Sequence, residues 1–412
     1  MNIGIVTTWY ERGAAYVSKQ YKESLERNGH TVYIYARGED SNKIKGSIWD
    51  SEKVTIDKES NLPISTFLSL KYFKKWILNN KLDVVLFNEQ RWMEPVLLCK
   101  KLNVKTGLYV DYYTEEHIEV YKVFDFLICN TNRHYSAFIN NHKQVYYIPW
   151  GTDIDLYDAK LKRKKSEKIR FFISAGMNPY RKGVDQAILG FIKLLEINVD
   201  YVSDIELIIH TQVDLKKFFN NEIVCNNIDK LEKYGVLKII NKTISAPGLY
   251  YEGDVYVYLS RLDGIGLTVA ESIAAGMPIL VPDDAPMNEF AIDKKINTVK
   301  IEKLYCRKDG YYWPQNEINI NDFANKLIYF IENKSKKDEL SLEARCYAEK
   351  NLNWKDRDSQ INEIFLHTQY LELDNEISIK CKEYSNRYSI NLKKIEILKA
   401  LVFFKNLFKV FK

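Results

Sequence analysis

Six cysteines are spread over 412 residues, and their spacing serves no recognisable purpose. Cys99, Cys129, Cys225, Cys306, Cys346 and Cys381 form no C-x-x-C pair, and no histidine stands where a zinc site needs one. A disulfide framework and a structural zinc module are thereby excluded, and reduced, mostly buried thiols are expected. No apolar run approaches the ~20 residues that span a bilayer. No signal peptide precedes the first strand-like segment, Ile3–Val6, so a cytoplasmic protein is expected. Charge of one sign is also scarce. The 60 basic against 55 acidic residues leave a net charge of +5, too little to indicate a nucleic-acid binder. No repeat of roughly 20–50 residues is present.

What is present describes a globular α/β protein. Hydrophobic residues make up 46% and charged residues 28%, enough apolar material for cores and too little charge imbalance for disorder. A chain of this length predicts two domains. The 29 tyrosines accompany many Lys, Asn and Ile, and read as compositional bias rather than a sugar-stacking device.

Short apolar runs alternate with helical patterns. Ile3–Val6, Thr31–Tyr35, Asp83–Phe87, Thr106–Val110, Phe126–Cys129 and Gln144–Ile148 are predicted strands, with a helix from about Ala15 to Arg27. The pattern breaks near Pro149–Thr152 at a lysine-rich stretch, Lys160–Lys165, which reads as a solvated linker. A second alternation follows: strands at Ile169–Ser174, Glu206–His210, Lys238–Ile240, Val255–Leu259 and Pro278–Val281, and helices at Asp185–Glu196 and Leu267–Ala275. Runs of this kind suit parallel sheets covered on both faces. A helical pattern runs from Trp354 to about Leu373. From Ile379 to Lys412 there are nine basic residues and two acids, and Ile390, Ile397, Leu401, Phe404, Phe408 and Phe411 fall on one helical face. Such a tail fits an anionic membrane surface through 390–412, the body of the protein, or a second subunit.

Two segments carry chemistry. In the first, Asp263-Gly264-Ile265-Gly266-Leu267-Thr268-Val269-Ala270-Glu271, a strand enters, Gly264 and Gly266 bend the chain, and a helix leaves. The amides of Gly266, Leu267 and Thr268 would open that helix as an anion site for a diphosphate. One turn on, Glu271 can accept two bonds from a ribose diol. A tight turn alone would use the same glycines. In the second, Ser174–Gly183, Arg181 and Lys182 arrive at the start of a helix. An ammonium there would stabilise the charge on a departing diphosphate.

Together these segments resemble the donor site of GT-B glycosyltransferases, in particular glycosyltransferase family 4. The spacing from Asp263 to Glu271, the closing Gly276-Met277-Pro278 and the Lys182-Gly183 pair match that family's pattern. Two departures stand out: Asp263 where the family has Glu, and Gly176 where it often has Arg, with Arg181 as the candidate substitute. The resemblance covers most of 1–373 and implies two Rossmann-like domains facing a central cleft, with a C-terminal amphipathic helical tail outside it. The expected division is 1–155 on the acceptor side, a basic linker at 156–168, a nucleotide-sugar-binding domain at 169–355, a helix at 356–375 returning toward the first domain, and the tail at 376–412.

The resemblance also assigns roles. Asp263, Asn288 and Glu289 lie near the donor sugar, and Gly13 near the donor phosphates and acceptor. Asp111 stands where many relatives have a catalytic histidine, and can orient an acceptor hydroxyl or serve only as a loop residue; His117, further on, reads as a surface helical residue. Base contacts are expected near Ile240–Lys242. The implied reaction is retaining transfer from a nucleotide-sugar, UDP favoured, to a hydroxyl of a glycan or lipid-linked acceptor in cell-surface polysaccharide synthesis, with no metal or other cofactor. No Asp-x-Asp triplet is expected near a strand end, in keeping with that. A sugar-nucleotide epimerase or phosphorylase of the same fold, and a non-catalytic nucleotide-sugar- or glycan-binding subunit, are the alternatives.

Overall fold

A computed structural model of the chain describes residues 1–37, 44–57, 66–159, 163, 165–306 and 314–390. Most of the lysine-rich stretch at 160–165, and the tail beyond Ile390, lie outside the described residues. The chain divides into two compact units: Met1–Asn130, His134–Ile148 and the part from Arg357 on form the first, and Thr131–Arg133 with Pro149–Asp356 the second.

The first unit is a seven-stranded sheet in the order β3-β2-β1-β4-β5-β6-β7. The strands are β1 (Asn2–Thr7), β2 (Thr31–Ala36), β3 (Val54–Ile56), β4 (Val84–Asn88), β5 (Lys105–Tyr109), β6 (Phe126–Cys129) and β7 (Val145–Tyr147), and every pairing is parallel. Every residue of β4 and of β6 is buried, as continuous apolar runs in a sheet covered on both faces require. Burial of Phe73, Trp76, Phe87, Phe124 and Phe138 builds the aromatic core of this unit.

The second unit repeats the design. A six-stranded parallel sheet runs β10-β9-β8-β11-β12-β13, from β8 (Ile169–Gly176), β9 (Ile205–Thr211), β10 (Leu237–Asn241), β11 (Val255–Val257), β12 (Ile279–Pro282) and β13 (Thr298–Val299). A two-stranded antiparallel ribbon, β14 (Ile301–Tyr305) with β15 (Gln315–Ile318), completes it. The sequence pattern does not reveal that ribbon: three of the five residues of β14 are exposed, so no apolar face advertises it. In each unit the strand order reverses beside the first strand, at β1/β4 and β8/β11. Such switch points open a crevice at the carboxyl ends of the strands, where ligands of doubly wound sheets bind.

Several expectations change. The helix after Trp354 is Asp358–His367 and stops well short of Leu373. Residues 368–374 are not helical, and a second helix covers 375–390. That helix packs on the first unit. Ser385 Oγ accepts from the Met93 amide at 3.0 Å, Tyr388 accepts from the Thr66 amide at 3.0 Å, and Cys381 is buried. Its described part therefore takes the body-packing alternative, although Ile390 at its end is exposed. His117 is not a surface residue: it is buried, completes a capping box with Thr114 and lies 2.7 Å from the Tyr384 hydroxyl. Burial, and then the nearby Arg91, push its imidazole pKa far down, so it is a neutral core group. Of the thiols, Cys306 and Cys346 are exposed and Cys225 half-buried, so only half are buried. Among the described residues no helix is long and apolar enough to cross a membrane.

Candidate functional site

The switch point of the second unit gathers the two chemistry-bearing segments. β8 ends at Gly176, and a turn carries the chain to Arg181, Lys182 and the helix Val184–Ile197. Gly183 makes this possible. Its φ is +69°, and a Cβ there would lie 2.0 Å from the Leu259 carbonyl oxygen, so only glycine lets the turn approach the end of β11 so closely. The Arg261 amide donates to the Arg181 carbonyl at 2.8 Å and locks the two loops together. Arg261 also forks onto Asp185 at 2.7 and 2.8 Å, fixing the start of the same helix.

Lys182, Arg181 and Asp263 meet in this frame. Lys182 Nζ is 2.7 Å and Arg181 Nη1 3.0 Å from Asp263 Oδ2, and the Tyr258 hydroxyl donates to the same oxygen. The other oxygen, Oδ1, accepts from the Gly264 amide at 2.8 Å. Both oxygens of Asp263 are thus engaged by protein donors. Burial alone would raise its pKa, but Lys182 and Arg181, with the hydrogen bonds from Lys182 and Tyr258, hold it well below the usual carboxylate range. For Lys182, burial and then the Arg181 charge outweigh Asp263 and push the ammonium pKa down to about 8. Arg181 keeps 31% of its side chain exposed against 13% for Lys182, so the guanidinium is the more accessible cation.

The helix Leu267–Ala274 begins beside this cluster. Gly266 caps it at φ +86°, and the Val269 amide closes the first turn on the Gly266 carbonyl at 2.9 Å. The first amides of a helix have no intrahelical acceptor, so those of Gly266, Leu267 and Thr268 present an anion-binding end. The far end is neutralised. Arg163 donates to the carbonyls of Ala275 and Gly276 at 2.7 and 3.0 Å, and Arg345 to that of Ala274 at 2.8 Å. Arg163 is thus a structural part of the second unit rather than solvated linker. Glu271, one turn into the helix, is half-buried and accepts from Tyr250 at 2.5 Å and from Tyr157. Burial raises its pKa despite those two hydrogen bonds and the nearby Lys182.

The remaining candidates are arranged differently. Asn288 donates to Asp283 at 3.0 Å. Glu289 accepts from the amides of Asn132 and Arg133, which group with the second unit, at 2.7 and 3.1 Å, so its carboxylate acts as a backbone cap. Gly176 has φ +59° with open space around it, and the Arg the family often has there is not supplied from this position. In the first unit, Asp111 follows β5 and lies 3.9 Å from Arg91, which donates to Tyr121 at 2.7 Å. Gly13 is the exposed first residue of the helix Gly13–Arg27. The sequence does contain two Asp-x-Asp triplets, Asp153-Ile154-Asp155 and Asp356-Arg357-Asp358. Asp155 pairs with Lys355 at 2.9 Å and Asp358 with Arg27 at 2.6 Å.

Sequence reasoning missed Tyr157, Tyr250 and Tyr258, whose hydroxyls contact the acids of the site. The one available signal was the Tyr256–Tyr258 spacing, which puts two rings on one face of a strand.

Comparison with known proteins gives the same direction. Residues 157–347 match the family described as glycosyl transferases group 1. A glycosyltransferase of Sulfolobus islandicus rod-shaped virus 1, itself uncharacterized, is 28% identical over 172 residues, 41% of this chain and 49% of that protein. The chain spans about half the length of the curated relatives it matches. Among solved structures, a glycosyltransferase from Rickettsia africae superposes with a TM-score of 0.69 at 16% identity, over 89% of this chain and 99% of that one. HepE of Anabaena, in complex with UDP, gives 0.64 at 15% identity over 89% and 99%. These likenesses establish the two-domain GT-B fold.

Proposed function

We propose, from the match of residues 157–347 to the group 1 glycosyl transferases and from the GT-B fold, that the chain transfers a sugar from a nucleoside-diphosphate donor to a hydroxyl acceptor. The observation that carries this reading is the convergence of Lys182 and Arg181 with the amino end of the helix Leu267–Ala274. The two cations share the Asp263 carboxylate and stand beside amides that already attract an anion. The donor diphosphate sits there, and the charge it gains as the sugar departs is met by Lys182 and Arg181. Glu271 takes the ribose diol with the acceptor lone pairs its tyrosines leave unused.

In this reading Asp263 works through the cations it holds, because both its oxygens already have protein donors. Asn288 and Glu289 shape the loop beside the donor sugar. On the first unit, Asp111 orients the acceptor hydroxyl and Gly13 leaves room at its helix start. Transfer proceeds with retention and without a metal, the protein cations supplying the charge; UDP is the favoured carrier, in line with the UDP complex of the Anabaena relative. A glycan or lipid-linked molecule of cell-surface polysaccharide synthesis is the acceptor, and 390–412 supplies contact with an anionic membrane surface.

The test is a panel of UDP-, GDP- and dTDP-sugars, with product analysis and Lys182→Ala as control. Transfer by the unaltered protein and its loss in the variant are expected. Binding without turnover would favour a non-catalytic subunit, and a changed sugar without transfer an epimerase.

A further inference from the structure

Beneath the donor-site residues runs a contiguous set of four buried tyrosine rings. Tyr157 meets Tyr250 with centroids 5.9 Å apart, Tyr250 meets Tyr256 at 5.8 Å, and Tyr256 stacks on Tyr258 at 5.9 Å. All four are buried. A ring needed only to fill a core would do so equally well as phenylalanine, which leaves no hydroxyl to satisfy. Here three of the hydroxyls reach the acids of the site. Those of Tyr157 and Tyr250 bond to Glu271, that of Tyr256 lies beside Thr268, and that of Tyr258 donates to Asp263 while accepting from Lys182 at 2.5 Å. The Lys182 ammonium also lies 4.4 Å from the centre of the Tyr258 ring.

We propose that this tyrosine ladder is the device that orients the donor-site charges, with Tyr250 positioning Glu271 and Tyr258 positioning the Lys182–Asp263 pair. The proposal rests on the donor-site reading above and deepens it. Its physical logic follows from where the acids sit. Burial disfavours an ionised Glu271, and phenol donors offset that cost without bringing a second charge that would compete with the ligand. Burial also keeps Tyr250 and Tyr258 protonated, so each remains a donor throughout the neutral range. Tyr258 has a double part: it completes the shell of Asp263 and gives Lys182 a second acceptor, fixing the ammonium by two bonds. Because the rings touch in series, the two acids are held by one packed body rather than by independent loops.

Tyr→Phe substitutions isolate the hydroxyls, since ring packing is retained. Removing one hydrogen bond to a charged group corresponds to roughly a tenfold effect. In the full chain, Tyr250→Phe is expected to weaken UDP or GDP binding about tenfold by calorimetry, with kcat at saturating donor little changed. Tyr258→Phe is expected to lower kcat about tenfold and move the alkaline limb of kcat/KM to lower pH, with circular dichroism and Tm near those of the unaltered protein. A purely structural ring would leave the KM-against-kcat split and the pH limb unmoved. If the unaltered protein binds nucleoside diphosphate and transfers sugar while both variants stay within twofold of it, the ladder is refuted and the transferase reading stands. If the unaltered protein binds neither UDP nor GDP, the donor-site reading falls, and the ladder's role with it.

Discussion

Gly183 offers a decisive perturbation because its neighbourhood can be compared with that of Gly176 in the same loop. Both have positive φ, +69° and +59°. Alanine in that region costs roughly 1–2 kcal/mol for either position. Only Gly183 has a neighbour in the way: an added Cβ would lie 2.0 Å from the Leu259 carbonyl oxygen, whereas at Gly176 nothing lies within 4 Å. Relieving that overlap needs a movement of more than 1 Å by a backbone carbonyl at the end of β11 or by the Lys182 turn, adding about 1–3 kcal/mol of overpacking. Gly183→Ala should therefore be about 1–3 kcal/mol less stable than Gly176→Ala in urea denaturation. The same movement displaces Lys182, and a misplacement near 1 Å can reduce turnover about 100-fold. Equal stability and equal turnover of the two alanine variants would refute the claim that the Arg181–Lys182 turn is braced against the end of β11.

Other expectations follow from the charges and exposures. Lys182, with its pKa pushed down to about 8, should impose a fall in kcat/KM as pH rises through that value. Stability should not fall with it: an unfolded lysine keeps its proton to about 10.5, so from pH 8 to 10.5 the unfolded state binds more protons and this group's contribution to stability rises with pH. A pH–rate profile beside a pH–Tm profile checks both. Asp263→Asn removes the counter-charge of Lys182 and should shift the alkaline limb lower still; an unmoved limb would remove Asp263 from that role. Native thiol titration should find Cys306 and Cys346 reacting fast and the buried Cys99, Cys129 and Cys381 slowly. Deleting 391–412 should lower sedimentation with anionic liposomes, and unchanged partitioning would dismiss the membrane contact.

The strands were legible where burial on both faces writes a continuous apolar run, as in Val84–Asn88 and Phe126–Cys129. β3 escaped because charged residues, Lys53 and Asp57, bound its three residues and leave no longer apolar run, β13 because it has only two residues, and the ribbon because β14 is largely exposed. The glycine turn that opens the helix Leu267–Ala274 was legible because a chain reversal between strand and helix needs glycine at its positive-φ position, Gly266. The employment of Asp263 was not. Its cationic partners, Arg181 and Lys182, come from the far side of the switch point, 82 and 81 residues earlier in the chain. His117 was misread for the opposite reason: the acidic residues Glu115, Glu116 and Glu119 around it mark a surface helix, but its own ring turns inward to Tyr384. The tyrosines of the ladder were hidden by abundance, since a type present 29 times gives no contrast at any one position.

The course of the chain through the two units has a practical consequence for dissecting the protein. The first unit is discontinuous, taking its closing helix, 375–390, from the far end of the sequence. The second unit, apart from Thr131–Arg133, is the single span Pro149–Asp356 inserted into the first. A fragment covering 149–356 therefore carries every residue of the Lys182–Asp263–Glu271 cluster on one uninterrupted polypeptide, and is the natural piece to express alone for nucleotide binding. A fragment ending at 148 would instead bare Met93, Thr66 and His117, whose covering partners Ser385, Tyr388 and Tyr384 arrive more than 200 residues later. For the same reason, a tag or fusion does not belong within 357–390.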